Sequence, residues 1–189
     1  TISKLQGISL DFLTQRFGKH GKVLYELSRG LDERPVITQQ KAKSMGKEIT
    51  FPKDVQDVAR VKNTLWKLAE AVCHRMRKKG LVCTSVTLKL KYADFSLVTR
   101  TVTLSRPTAL TVLVREAVLS LLKANWNGYP FVRLVGISCG KLMECGNVSP
   151  SLFPDDAMDR EEKITRVTDN LKEKFGEQVV TSAALLKEK

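Results

Sequence analysis

The side chains best able to do chemistry are few in this sequence and poorly spaced for it. Cys73, Cys83, Cys139 and Cys145 include no CxxC pair and fit no zinc spacing, so reduced thiols of a cytoplasmic protein are expected. His20 and His74 lie far apart, without a ligand partner near either. The acidic pairs Asp155–Asp156 and Glu161–Glu162 sit in the tail and read as solvated charge at a helix start. No metal site is assigned. Cationic chemistry is what the residues do offer. The chain of 189 residues carries a net charge of +12, and it is unevenly placed. Residues 1–36 hold six Lys/Arg and four Asp/Glu, residues 37–145 nineteen and seven, and residues 146–189 seven and nine. The whole excess therefore lies in one central block between near-neutral arms, the distribution expected when a single domain faces a polyanion.

The elements that must position those cations follow from periodicity. KSMGKEITF (43–51) reads as a strand ended by Pro52, with Asp54 as N-cap of the helix that follows. From Asp54 to Lys79 the residues Val58, Val61, Leu65, Leu68, Val72 and Met76 recur at three- and four-residue steps, which buries one helical face. The last turn carries Arg75, Arg77, Lys78 and Lys79, favourable against the helix dipole, and Gly80 supplies the stop. Beyond it the period becomes two. Val86, Leu88 and Leu90 alternate with Ser85, Thr87, Lys89 and Lys91. ADFS makes a tight connection to LVTRTVTLSRPT, where Thr99, Thr101 and Thr103 share one face. Arg100 has the parity of the opposite, apolar face with Val98, Val102 and Leu104. A second amphipathic helix (108–125) and a strand (131–142) complete the order β-α-β-β-α-β.

That order predicts an α+β, ferredoxin-like split βαβ arrangement: a four-stranded antiparallel sheet with two helices on one face. The other face, lined with Lys, Thr and Ser, is either a solvated surface or a seat for a phosphate backbone. Neither central-strand candidate carries an aromatic-rich recognition strand, and aromatics make up only 6% of the chain. Backbone tracking is therefore expected in place of base stacking.

KSMGKEITFPKDV, the helix ending RMRKKGL, TSVTLKLKYADFSLVTRTVTLSRPT and FVRLVGIS closely resemble the little-finger domain of Y-family lesion-bypass DNA polymerases, in the DinB (ImpB/MucB/SamB) branch. DFLTQRFGKHGKVLYELSRGLDERPV resembles the end of the thumb of the same enzymes. The resemblance covers essentially the whole chain. It implies a helical thumb remnant (1–34), a linker (35–42), a DNA-binding little finger (43–145) and a C-terminal tail (146–189). It also implies that the Mg²⁺-binding carboxylates and the nucleotide site belong to palm and finger segments that this sequence does not contain. The chain alone is thus expected not to polymerise DNA, and no cofactor is assigned to it.

The same resemblance implies a grip on the primer–template duplex through its phosphates. Carried over by motif, the contacts are Ser44 and Lys47 of KSMGK, Thr99 and Arg100 of VTRTV, and Arg133 of VRLVG. Lys89 and Lys91 join them from strand parity. The family often has Arg two residues after the glycine of the last strand, where this sequence has Ser138. In FGKHGK, Lys19 stands at a helix start whose free N–H groups can meet a phosphate, or in an ordinary helix–helix turn. In VSPSLFPDD, Leu152 and Phe153 resemble a sliding-clamp peptide, although Ser149 stands where such a motif prefers Gln. This sets the alternative reading, a module docking on the clamp or another regulator. Ile164, Val167, Leu171 and Phe175 share one face of a tail helix closed by Gly176, for docking on a partner or on the domain.

Overall fold

The computed structural model describes residues 1–38, 41–147, 156–176, 179–180 and 183. The chain divides into two compact units, Thr1–Lys41 and Ala42–Lys189. The first holds α1 (Ile2–Gln6), α2 (Leu10–Phe17) and α3 (Lys19–Ser28). Ser9 caps α2 by accepting from Phe12 N–H. Gly18, at φ +58°, lets α3 follow at once. A Cβ on Gly21 would lie 2.1 Å from the Leu13 carbonyl oxygen, so α2 and α3 cross in contact only because residue 21 is glycine. The fully buried Leu13 sits at that crossing.

The second unit is built on β1 (Ser44–Val55), α4 (Val58–Lys78), β2 (Leu81–Tyr92), β3 (Leu97–Thr108), α5 (Thr111–Asn125) and β4 (Val132–Gly140). All paired strands are antiparallel, in the order β1-β4-β2-β3. β4 lies between β1 and β2, and β2 between β3 and β4, so each βαβ unit is split by a strand of the other. α4 and α5 pack together on one face. Leu65, Leu68, Val72, Val114, Val118 and Leu122 bury there against Val86, Leu88, Leu90, Val135 and Ile137. At roughly 1.5–3 kcal/mol for each fully buried aliphatic side chain, this layer supplies the main drive for folding. The expected α+β architecture is the one observed.

Several boundaries differ from the sequence expectation. Pro52 does not end β1, which runs on to Val55 through an irregularity between Thr50 and Val55. An edge strand tolerates a residue without an N–H at such a bulge. The cap of α4 is Asp57, not Asp54. Its Oδ1 accepts from Ala59 N–H at 2.8 Å and from Arg60 N–H at 3.3 Å. Thr108 does not begin α5. It ends β3, and its hydroxyl accepts from Leu110 N–H at 3.0 Å. A further short strand, β5 (Met143–Glu144), returns to pair with Leu81 and Val82 at the start of β2.

The tail helix α6 (Asp156–Phe175) is present and Gly176, at φ +95°, follows it. It does not dock on its domain through the apolar stripe. Ile164, Val167, Leu171 and Phe175 remain exposed, Phe175 at 69%. Polar groups make the contact. Asp169 accepts from both Arg77 nitrogens (2.6 and 2.9 Å) and meets His74 Nδ1 at 3.0 Å, while Lys172 donates to Glu70. The Asp169 carboxyl stands below the usual carboxylate range. Burial pushes it up, but hydrogen bonds from Arg77 and His74 outweigh that.

A candidate nucleic-acid interface on the open sheet face

Strand register fixes which side chains share the face away from α4 and α5. Four rows cross the sheet from β3 through β2 and β4 to β1. They are Thr103–Ser85–Gly140–Ser44, Thr101–Thr87–Ser138–Gly46, Thr99–Lys89–Gly136–Glu48 and Leu97–Lys91–Leu134–Thr50. Half of these positions carry hydroxyls and none is aromatic. The Thr87 and Thr101 hydroxyls hydrogen-bond across β2 and β3 at 2.8 Å. Glycines fill much of β4 and β1 for a steric reason. A Cβ on Gly46 would meet the Ile137 carbonyl oxygen at 2.7 Å, and one on Gly136 would meet Glu48 Cβ at 2.8 Å. With no side chain at Gly136, Lys89 Nζ reaches over the strand to Glu48 Oε2 at 2.6 Å. The face is thus a low, hydroxylated floor with one bridged ion pair.

At the far end of the floor the cations gather around Phe95. The Asp94 carboxylate accepts from Ser96 N–H and Oγ–H at 2.9 and 2.6 Å, which holds that carboxyl below its usual range and shapes the β2–β3 turn. The turn places Phe95 at φ +66°, a left-handed conformation costly for an aromatic residue. The exposed ring carries Lys91 Nζ at 4.9 Å and the Arg133 guanidinium at 4.7 Å from its centroid. Arg133 reaches this spot because it is the extra residue of a bulge. Lys91 pairs with Leu134 and Tyr92 with Val132, leaving Arg133 without an opposite number and re-aimed. Its NH1 also lies 3.6 Å from Asp54 Oδ1. Sequence reasoning missed Phe95. An aromatic residue at a two-cation junction within a tight turn gives no periodic signal.

The residues nominated from sequence therefore separate. Ser44, Lys89, Lys91 and Thr99 lie on the open face, and Arg133 joins them at its end. Arg100 and Lys47 belong to the opposite face, at the two ends of the row Arg100–Leu88–Ile137–Lys47. Both are exposed because β1 and β3 are edge strands. Arg100 Nε donates to Asn125 Oδ1 at 3.0 Å, beside the end of α5. Lys19 is exposed at the start of α3, which lacks a side-chain cap. Leu152 and Phe153 fall outside the described residues.

The thiols take no part in this surface. Cys73 is buried, and desolvation pushes its pKa up to about 12. Cys139 is raised by its contact with Cys83 and by burial. Among the described residues no group of three or more His, Cys, Asp or Glu is placed to hold a metal ion. Nor is any helix among them long and apolar enough to cross a membrane.

The sequence profile of the impB/mucB/samB family C-terminal domain matches residues 42–152. The chain belongs to that family. The matched span begins where the second compact unit begins. DNA polymerase IV of Desulfatibacillum aliphaticivorans is 36% identical over 188 residues, 98% of this chain and 48% of that protein. DNA polymerase IV of Moorella thermoacetica is 32% identical over 188 residues, again 98% of this chain and 46% of its own length. DNA polymerase IV 2 of Bacillus subtilis is 33% identical over 192 residues, covering 98% of this chain and 46% of that protein. The chain thus spans about half the length of the curated relatives it matches. Its impB/mucB/samB domain is the β1–β4 sheet unit that carries the hydroxylated floor.

Proposed function

We propose that this chain grips the primer–template duplex of a Y-family polymerase during lesion bypass, holding DNA by its phosphate backbone with little sequence preference. The observation that carries the reading is the open face itself. Short hydroxyls and glycines allow close approach, Lys91 and Arg133 supply charge at one end, and the four rows of the floor hold no aromatic residue for stacking. The charge excess of residues 37–145 has the sign this requires. The names of the relatives favour DNA over RNA. Nucleotide transfer by the parent enzyme needs carboxylates and metal ions that the described residues do not assemble.

Fluorescence anisotropy with a labelled primer–template duplex over a salt series tests the reading. Some four phosphate contacts give a log–log slope of roughly −3 to −4. A slope near zero, or tighter binding to single strands than to duplex, would sink it.

A further inference from the structure

The open face is not where the unpaired positive charge is densest. Lys89 is bridged to Glu48, and Arg133 faces Asp54. Around the β1 edge, on the side of the helices, the situation is reversed. Arg75, Lys78 and Lys79 at the end of α4 line a concavity with Ala42, Ser44, Met45 and Gly46. Arg75 donates to the Gly46 carbonyl at 2.9 Å, which holds the guanidinium against the edge strand. Lys47 has the strand parity of Met45, two residues along, and borders the adjoining hollow of Gly46, Glu48 and Lys89 at the same edge. Among the described residues, none of these four cations has a carboxylate partner. Gathering them against one sheet edge is repulsive until an anion arrives. The helix dipole accounts for some stabilisation of a cation in the last turn of α4. It gives no reason for Lys47, which stands on the strand.

Ser44 and Gly46 join the two regions. They end two rows of the open face and also line the concavity. We infer that Lys47, Arg75, Lys78 and Lys79 form a second phosphate-binding site. The nucleic-acid backbone, having crossed the open face, turns over the β1 edge and continues along the end of α4. The ligand is the phosphodiester chain of duplex DNA. A polyanion tracking the floor reaches Ser44 and Gly46 before any other part of this cluster. The inference rests on the reading of the open face as a duplex contact, and its test is arranged so that the two can fail separately.

The test compares the whole chain with Lys78→Ala/Lys79→Ala and with Lys89→Ala/Lys91→Ala, by anisotropy on the labelled primer–template duplex between about 50 and 200 mM salt. Thermal melts run alongside. Loss of two phosphate contacts lowers the magnitude of the log–log slope by about 1.8, and that is the expected result for Lys78→Ala/Lys79→Ala. A slope unchanged in this variant, with or without a lower melting temperature, reduces the cluster to dipole compensation and overturns the inference. If Lys89→Ala/Lys91→Ala still lowers the slope in that case, the open-face reading stands alone. The converse pattern removes the open face and the path over the β1 edge, and so overturns the inference, leaving only an isolated phosphate contact at the end of α4. Tighter binding of poly-glutamate than of duplex at equal salt would make the cluster a seat for an acidic protein, which also overturns the inference. No binding of duplex at low salt removes both.

Discussion

Replacing Glu48 by Gln should strengthen DNA binding, although it removes an ion pair. In the folded chain Glu48 Oε2 holds Lys89 Nζ at 2.6 Å across the gap left by Gly136. The pair sits in the middle of the proposed duplex track, where the carboxylate repels phosphate and occupies a cation that could contact it. The two side chains are 49% and 36% exposed, so the pair is worth only about 0–1 kcal/mol to stability. A shift of about 2–4 °C in melting temperature is the most its loss should produce in a chain of this size. One additional phosphate contact raises the magnitude of the log–log salt slope by about 0.9, so Glu48→Gln should lose about 3.5-fold more affinity than wild type between 50 and 200 mM salt. Its advantage should be greatest at the low end of that range. Anisotropy on the primer–template duplex reads both quantities. Lys89→Ala added to Glu48→Gln is the control and should return the slope to the wild-type value. If Glu48→Gln binds no better at low salt and keeps the wild-type slope, phosphate does not pass over the Lys89 row and the track has been drawn in the wrong place.

Three other predictions follow from particular contacts. Phe95→Ala and Phe95→Gly both remove the platform under Lys91 and Arg133 and should weaken duplex binding alike, but glycine relieves the φ of +66° and should be about 1 kcal/mol more stable than alanine by chemical denaturation. Gly46→Ala should destabilise the sheet unit by more than about 1 kcal/mol, because its Cβ meets the Ile137 carbonyl at 2.7 Å and backbone must shift; a melt equal to wild type would show that β1 yields freely. The lowered carboxyl of Asp169 stabilises the docked α6 above the ordinary carboxylate range and loses that effect as pH falls through its depressed value. An acid titration of Trp66 fluorescence, beside α6, should therefore show an acidic transition that Asp169→Asn abolishes.

Parity made much of the open sheet face legible before any coordinates. Alternation in β2 and β3 put Lys89, Lys91, Thr87, Thr99 and Thr101 on one face and Arg100 on the other, because the side-chain period of a strand is two and register cannot alter it. Lys47 was nominated from a motif, without parity, and it landed on the opposite face. The ion pair over Gly136 and the re-aimed Arg133 depend on register and a bulge between strands distant in sequence, and neither leaves a local pattern. Pro52 and Asp54 misled for a related reason. Turn residues usually close an element, yet here they fill an irregularity inside an edge strand. The way α6 docks was hidden because its contacts are polar, Asp169 with Arg77 and His74 and Lys172 with Glu70, while its conspicuous apolar stripe stays exposed.

The most direct test of the central claim is to map amide chemical shifts of the labelled chain on titration with the primer–template duplex. The largest changes are expected at Thr87, Lys89, Lys91, Thr99, Thr101, Arg133 and Ser138, continuing to Ser44 and Gly46 at the β1 edge. α5 and the docked face of α6 should stay unmoved. Changes concentrated on α5 and α6, with the open-face rows silent, would contradict it.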